Sequence, residues 1–275
     1  IEDKFMTIPA RYIALADQIA QRFSQYETVQ AVAIGGSLAG GYATDSSDMD
    51  LYIYNTQDLT HAQRADVITP YARLHQTIDF WGPGDVYFDT ETGIEVDVVY
   101  FNADWITDQM ARVLDRHEAW MGYTTAFWHT VKHSHLIYDR TGWFSALMAK
   151  AQSPYPDQLV KNIVNHNHPV LREIVPSYRK QIESAVRRDD WVSINHRVAA
   201  LLASYFDIIF SVNRIPHPGE KRQLEHALRI CQTLPTDFEV DVKRVLQNAT
   251  THHIIEAIHT LVNHFDMWLR EQSLI

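Results

Sequence analysis

The sequence predicts an α+β protein, with a small mixed β-sheet domain followed by an all-α helical bundle. Three observations lead there. Helix and strand patterns alternate through the first half with a hairpin embedded among them, strand signals then cease, and Ser153-Pro154-Tyr155-Pro156 reads as a linker. An embedded hairpin argues against a doubly wound parallel sheet, in which every strand is followed by a helix. The domains are accordingly expected at 1–145 and 146–275, with the boundary near residues 145–155.

Each element has its own signal. Thr7 and Pro9 open a helix in which Ile13, Ala16, Ile19, Ala20 and Phe23 share one face. The apolar run Val29 to Ile34 reads as a strand ending in Gly35-Gly36-Ser37. After a polar loop, Met49, Leu51 and Ile53 alternate with Asp48, Asp50 and Tyr52, the period of two of a half-buried strand. Asp85 to Phe88 and Ile94 to Phe101 flank Thr90-Glu91-Thr92-Gly93 as a hairpin, and Leu136-Ile137-Tyr138 is the last strand. Downstream, Trp191 to Val212 carries an apolar stripe through Val198, Leu201, Leu202, Tyr205, Ile208 and Ile209, with Asp189-Asp190 at its N-terminal end. Pro216-His217-Pro218-Gly219 breaks that helix, and three further helical segments run to Leu269, as in an antiparallel bundle.

Composition removes several function classes. With 275 residues, 46% hydrophobic and 21% charged, the chain can bury one large or two modest cores. That balance excludes disorder, a collagen-like repeat and a disulfide scaffold. The one cysteine, Cys231, forms no internal disulfide and suits a reducing compartment. Lys and Arg total 24 against 34 Asp and Glu, a net charge of -10, which disfavours general nucleic-acid binding. No apolar run approaches the roughly 18 residues of a membrane span. Ile1-Glu2-Asp3-Lys4 lacks a secretory layout, so a soluble, cytoplasmic protein is expected. The acidity is uneven: residues 1–145 hold nine Lys or Arg against twenty Asp or Glu, and 146–275 hold fifteen against fourteen.

The informative stretch runs from Gly35-Gly36-Ser37-Leu38-Ala39-Gly40-Gly41-Tyr42 through Asp45 to Asp48-Met49-Asp50. Aspartates two apart on a strand project to one face, where their repulsion favours a divalent cation between them. Upstream, glycines let the backbone approach a ligand, and free N–H groups at a helix start favour phosphate oxygens. A third acid comes from Ile94-Glu95-Val96-Asp97-Val98, where Glu95 and Asp97 oppose the apolar side of the strand. Asp97 lies deeper in the apolar run, and Glu95 is the alternate for the same role. Phosphate grip plus metal carboxylates is the equipment of Mg²⁺-assisted phosphoryl or nucleotidyl transfer.

Gly36-Ser37, Asp48-Met49-Asp50 and the later strand acid Asp97 resemble the motif set of the polymerase-beta-type nucleotidyltransferase superfamily. A sheet domain followed by a helical one is similar to the antibiotic nucleotidyltransferases that modify aminoglycosides and lincosamides. Leu136-Ile137-Tyr138-Asp139-Arg140-Thr141-Gly142 also resembles the end of the catalytic domain in lincosamide-type members. The resemblance implies that Asp48 and Asp50, with Asp97, bind one or two Mg²⁺ ions, while Gly36 and Ser37 hold the nucleotide phosphates. Asp97 or Glu95 would complete the metal site or act as base toward an acceptor hydroxyl that attacks the α-phosphate and expels pyrophosphate.

The expected reaction is therefore transfer of AMP from ATP, or of another nucleoside monophosphate from its triphosphate, to a small-molecule hydroxyl in a cleft between the domains. An aminoglycoside- or lincosamide-like antibiotic leads by resemblance. A protein or RNA acceptor, and a non-catalytic nucleotide-binding module, are the alternatives.

Outside the motif, Pro218-Gly219-Glu220-Lys221-Arg222 resembles a Pro-Gly-x-Lys stretch of related helical domains, and Lys221 and Arg222 could bring two cations to the triphosphate. His129, His133 and His135, like His166 and His168, have ligand-like spacing but no cysteine pair beside them, and read as surface histidines. Trp81, Trp105, Trp120, Trp128 and Trp191 read mostly as core, with one or two available to stack on a base or acceptor.

Overall fold

The structure is a computed structural model that describes residues 8–40, 47–80 and 82–275. Thr7, Gly41-Tyr42, Asp45 and Trp81 lie outside the described residues. The chain forms two compact units, one of residues 1–111 and 130–153, the other of 112–129 and 154–275. The anticipated dividing position, 145, falls inside the helix Trp143–Ala151.

In the first unit a helix, α1 (Ala10–Phe23), leads into β1 (Val29–Ile34), the short α2 (Gly36–Ala39) and β2 (Met49–Asn55). Then come α3 (His61–Ile68), β3 (Ala72–Ile78), β4 (Gly84–Asp89) and β5 (Glu95–Asn102), which leads into α4 (Ala103–Leu114). Residues 112–129, with the end of α4 and the start of α5 (Ala126–His133), belong to the second unit, and β6 (His135–Asp139) and α6 (Trp143–Ala151) complete the first. Among the described residues, six strands form one mixed sheet in the order β3-β4-β5-β2-β1-β6, with β2 and β5 parallel and the other pairs antiparallel. The α+β class is as the sequence predicts.

Period-two alternation sorts the sheet into two faces. Val32, Ile34, Met49, Leu51, Ile53, Val96 and Val98 are buried in one core with Leu15, Ala16, Ile19 and Phe23 of α1. Each large aliphatic of that set contributes about 1.5–3 kcal/mol on burial. The anticipated hairpin is present: Gly93, at φ +71, closes it, and Asp89 Oδ1 accepts from the Thr92 N–H and hydroxyl.

Strand β3 has no counterpart in the sequence reading. Four of its seven residues, ARLHQTI, are polar, and its burial does not alternate. Leu74 is left-handed at φ 58, and the register shifts between Arg73 and Gln76. The strand is pinned by side chains. Asp85, 1% exposed, accepts from Thr77 Oγ1 at 2.9 Å and Tyr100 Oη at 2.9 Å, and sits 2.8 Å from His75 Nε2. The buried Arg64 guanidinium lies 3.5 Å from the same carboxylate.

The segment between β6 and α6 has a structural role. Arg140 donates to the carbonyls of Val29, Ser24 and Tyr26, while Asp139 Oδ2 accepts from the Ser145 N–H and hydroxyl at the start of α6. Desolvation pushes against ionisation of Asp139, but those bonds outweigh it and hold the carboxyl below its ordinary value.

The second unit is helical: α7 (Asp157–Arg172), α8 (Tyr178–Val186), α9 (Trp191–Val212), α10 (Gln223–Ile230), α11 (Phe238–Asn248) and α12 (Ile254–Glu271). Helices α7 and α8 pack on α9, which is buried on all sides from Ser204 to Val212, a continuous run that one stripe does not predict. Asp190 caps α9 as expected, accepting from the Ser193 N–H at 3.1 Å. Within α9, Asp207 accepts from the Thr124 N–H and hydroxyl. The Pro216–Gly219 turn is anchored by fully buried His217, whose N–H donates to Thr125 Oγ1 and whose Nδ1 accepts from the Gly219 N–H.

One expectation about a side chain changes here. His168 is not a surface histidine: it is 3% exposed, with Nε2 2.7 Å from Asp266 Oδ1. Of the tryptophans read mostly as core, Trp128 is buried, whereas Trp105 and Trp120 are 39% and 41% exposed. Among the described residues, no helix is long and apolar enough to cross a membrane.

Candidate active site

The parallel pairing of β2 with β5 positions the acids. Asp50 is the register partner of Asp97, as Met49 is of Val96 and Leu51 of Val98. Register partners on adjacent strands stand about 4.8 Å apart and share a face. Met49, Leu51, Val96 and Val98 anchor the opposite face at 0–1% exposure, so the two carboxylates emerge from the side of the sheet away from the α1 core. Both acids are half-buried, while Glu95, at the start of β5, is exposed. Asp48 is half-buried just ahead of β2, where the preceding Ser47 carbonyl accepts a hydrogen bond from the Tyr12 hydroxyl at 2.9 Å.

The turn after β1 closes on this pair. The Gly35 N–H donates to the Asp50 carbonyl at 2.9 Å, which ties the turn to β2 beside the acid. A Cβ at Gly36 would stand 1.7 Å from Asp50 Oδ2, so only glycine permits the backbone to lie on the carboxylate. Gly36 is also left-handed, at φ +56. A Cβ at Gly35 would stand 1.9 Å from Cε2 of Tyr52. Half-buried Ser37 follows in α2, whose closing bonds are Ala39 N–H to Gly35 and Gly40 N–H to Gly36.

Tyr52 projects from the same face of β2 as Asp50. Burial pushes its hydroxyl well above the usual phenol range, the Asp50 charge adds to this, and the nearby Gly36 N–H dipole opposes both. Neither Gly35 nor Tyr52 carries a role in the sequence reading. The signal was the same period of two that selects Asp48 and Asp50, extended by one step along the strand.

The structure therefore gathers Gly36, Asp50 and Asp97, with Ser37 following the turn. Asp48 and Glu95 stand at the leading ends of their strands. Lys221 and Arg222 belong to the second unit and are exposed, with Arg222 left-handed at φ 53 immediately ahead of α10. Among the described residues no group of three or more His, Cys, Asp or Glu side chains is placed to hold a metal ion. That count includes the histidines with ligand-like spacing. Mg²⁺ commonly takes one or two carboxylates and completes its octahedron with substrate phosphates and water. A half-buried aspartate pair beside a glycine turn is a donor set of that kind.

Residues 17–112 match the family model for polymerase beta nucleotidyltransferases, a span that includes the glycine turn and all four candidate acids. No curated protein matches the chain. Among solved structures, a nucleotidyltransferase-like protein from Exiguobacterium sibiricum 255-15 is 11% identical, over 95% of this chain and 76% of that one, with a TM-score of 0.45. Across residues 17–112, this chain carries a polymerase-beta-type nucleotidyltransferase domain.

Proposed function

We propose that the protein transfers a nucleoside monophosphate, AMP from ATP in the leading reading, to a hydroxyl of a small-molecule acceptor with Mg²⁺ as the metal. The observation that carries this is the register pairing of Asp50 with Asp97 under the Gly36 turn. Asp50 and Asp97 would hold Mg²⁺, with Asp48 as a further ligand from the approach to β2. When bound, the ion offsets negative charge developing on the phosphates. Gly36 and Ser37 present backbone and hydroxyl donors to the phosphate oxygens, and the close turn fixes those donors relative to the carboxylates.

In this reading the acceptor hydroxyl attacks the α-phosphate, pyrophosphate leaves, and the hydroxyl proton passes to a carboxylate. Asp97 is better placed than Glu95 to take it, because it faces Asp50 directly whereas Glu95 sits exposed at the strand's leading end. Lys221 and Arg222 are assigned to the triphosphate, and an aminoglycoside- or lincosamide-like antibiotic is the leading acceptor class. Both assignments rest on the resemblance and on the cationic character of those side chains. The division into a catalytic domain over 1–145 and a helical domain over 146–275 belongs to the same reading, as does a cytoplasmic location.

The double substitution Asp48→Asn with Asp50→Asn tests the mechanism. It should abolish Mg²⁺-dependent pyrophosphate release while leaving the circular dichroism spectrum unchanged. Turnover retained in that variant would refute a carboxylate-held metal.

A further inference from the structure

We propose that Thr69 is a modification site whose hydroxyl takes AMP from a second copy of this chain, an assignment that rests on the nucleotidyl-transfer reading above. A hydroxyl, an imidazole and a buried carboxylate stand in line there. Thr69 Oγ1 lies 3.2 Å from His75 Nδ1, and His75 Nε2 lies 2.8 Å from Asp85 Oδ1. A carboxylate only accepts, so neutral His75 carries its proton on Nε2, and the Nδ1 lone pair faces the Thr69 O–H. A hydroxyl within hydrogen-bond reach of a base, with that base oriented by a third group, is the arrangement of an activated nucleophile.

The three groups differ in freedom and in access. Asp85 is fixed by the bonds it accepts from Thr77 and Tyr100 and by the Arg64 guanidinium 3.5 Å away. His75 is half-buried on β3, and its ring meets Tyr87 edge to face at 6.4 Å between centroids. Thr69 is exposed, at the start of the 3₁₀ turn Thr69–Tyr71 that joins α3 to β3. His75, Thr77 and Tyr100 complete the pin on β3 at Asp85, and the Thr69 hydroxyl stands outside it. That hydroxyl is the member of the line open to a reactant.

Position in the sheet makes the donor another molecule. Asp85 is the register partner of Val98, and Val98 packs in the α1 core. Register partners share a face, so the line runs on the side of the sheet away from Asp50 and Asp97. A nucleotide at those acids therefore meets the Thr69 of a second copy. In the transfer, the bond from Thr69 Oγ1 to the α-phosphorus of ATP forms as the bond from that phosphorus to the bridging oxygen of the β-phosphate breaks. Pyrophosphate leaves, and the hydroxyl proton passes to His75 Nδ1. This acceptor brings its own base.

Intact-protein mass after incubation with ATP and Mg²⁺, with no small acceptor present, tests it. Wild type should gain one AMP, located at Thr69 by peptide mass. Thr69→Ser should gain it too, and Thr69→Val should not. His75→Gln, checked for folding by circular dichroism, should slow the gain by about 100-fold or more, the usual contribution of a general base. A mixture of Thr69→Val with the Asp48→Asn, Asp50→Asn double variant should label the double variant alone, since one copy supplies the transfer site and the other the hydroxyl. No adduct on wild type, an undiminished adduct on Thr69→Val, an unlabelled mixture, or an unslowed gain in folded His75→Gln would overturn the assignment. Pyrophosphate release with a small hydroxyl acceptor would then leave the nucleotidyl-transfer reading standing. A wild type that gains no AMP and releases no pyrophosphate with any acceptor would overturn both.

Discussion

The substitution Gly36→Ala separates the site from the fold. The methyl group would begin 1.7 Å from Asp50 Oδ2, and Cβ contacts under 3.0 Å are essentially never seen, so the carboxylate must retreat by at least about 1.3 Å. Asp50 is the movable partner, because its side chain ends at a half-buried surface whereas the β1 and β2 backbones lie inside the sheet. A left-handed conformation costs a non-glycine residue about 1–2 kcal/mol, and that is the stability loss expected. Misplacing a reacting group by about 1 Å costs on the order of 10²-fold in rate, so turnover should fall by at least that factor. Gly93→Ala supplies the control. Gly93 is also left-handed, at φ +71, but a Cβ there meets nothing within 4 Å. The two variants should lose similar stability in urea unfolding, and only Gly36→Ala should lose Mg²⁺-dependent pyrophosphate release. Equal activity in both would refute a turn seated on the Asp50 carboxylate.

Other perturbations have worked signs. Burial depresses the His217 imidazole to about 3, far below the ordinary histidine value of 6.5. The unfolded chain therefore binds the extra proton between those values, and stability contributed by neutral His217 is present above pH 6.5 and lost as pH falls toward 3. Acidification from pH 7 to 5 should cost about 2 kcal/mol through this group, and His217→Gln should flatten that slope in pH-dependent unfolding. Arg140→Ala removes three bonds to backbone carbonyls and should lower unfolding free energy by about 1–2 kcal/mol, read by chemical denaturation, with pyrophosphate release unchanged at a temperature where the variant is folded. Asp50→Asn relieves repulsion with Asp97, so without divalent ions its melting temperature should rise or stay level. Mg²⁺ should raise the melting temperature of wild type but not of this variant.

Much of this architecture was legible because strand burial is periodic. Met49, Leu51, Val96 and Val98 announce one face, and that pattern alone places Asp48, Asp50, Glu95 and Asp97 on the other. What periodicity does not reveal is which strands are neighbours. Parallel pairing of β2 with β5, across the intervening α3, β3 and β4, turns two separate acids into a facing pair, and it depends on tertiary packing rather than local signal. Strand β3 is hidden in the sequence because its order comes from the Asp85 cluster and not from alternating burial. His168 was misread for a related reason: a histidine's burial depends on its partner, and Asp266 is 98 residues away. The Gly35-Gly36 dipeptide reads in sequence as a turn. Only the collisions that a Cβ would make with Tyr52 and Asp50 show why both glycines are needed.

The central claim is that Asp50 and Asp97 form the metal-binding heart of a nucleotidyl-transfer site. Incubating the protein with ATP, Mg²⁺ and a panel of hydroxyl-bearing acceptors, with mass detection of the products, tests it most directly. Wild type should add one AMP to at least one acceptor and release pyrophosphate in equal amount, and Asp50→Asn with Asp97→Asn should yield neither while remaining folded. Adduct formation that persists in the folded double variant, or a wild type that modifies no acceptor in the panel, would contradict the account.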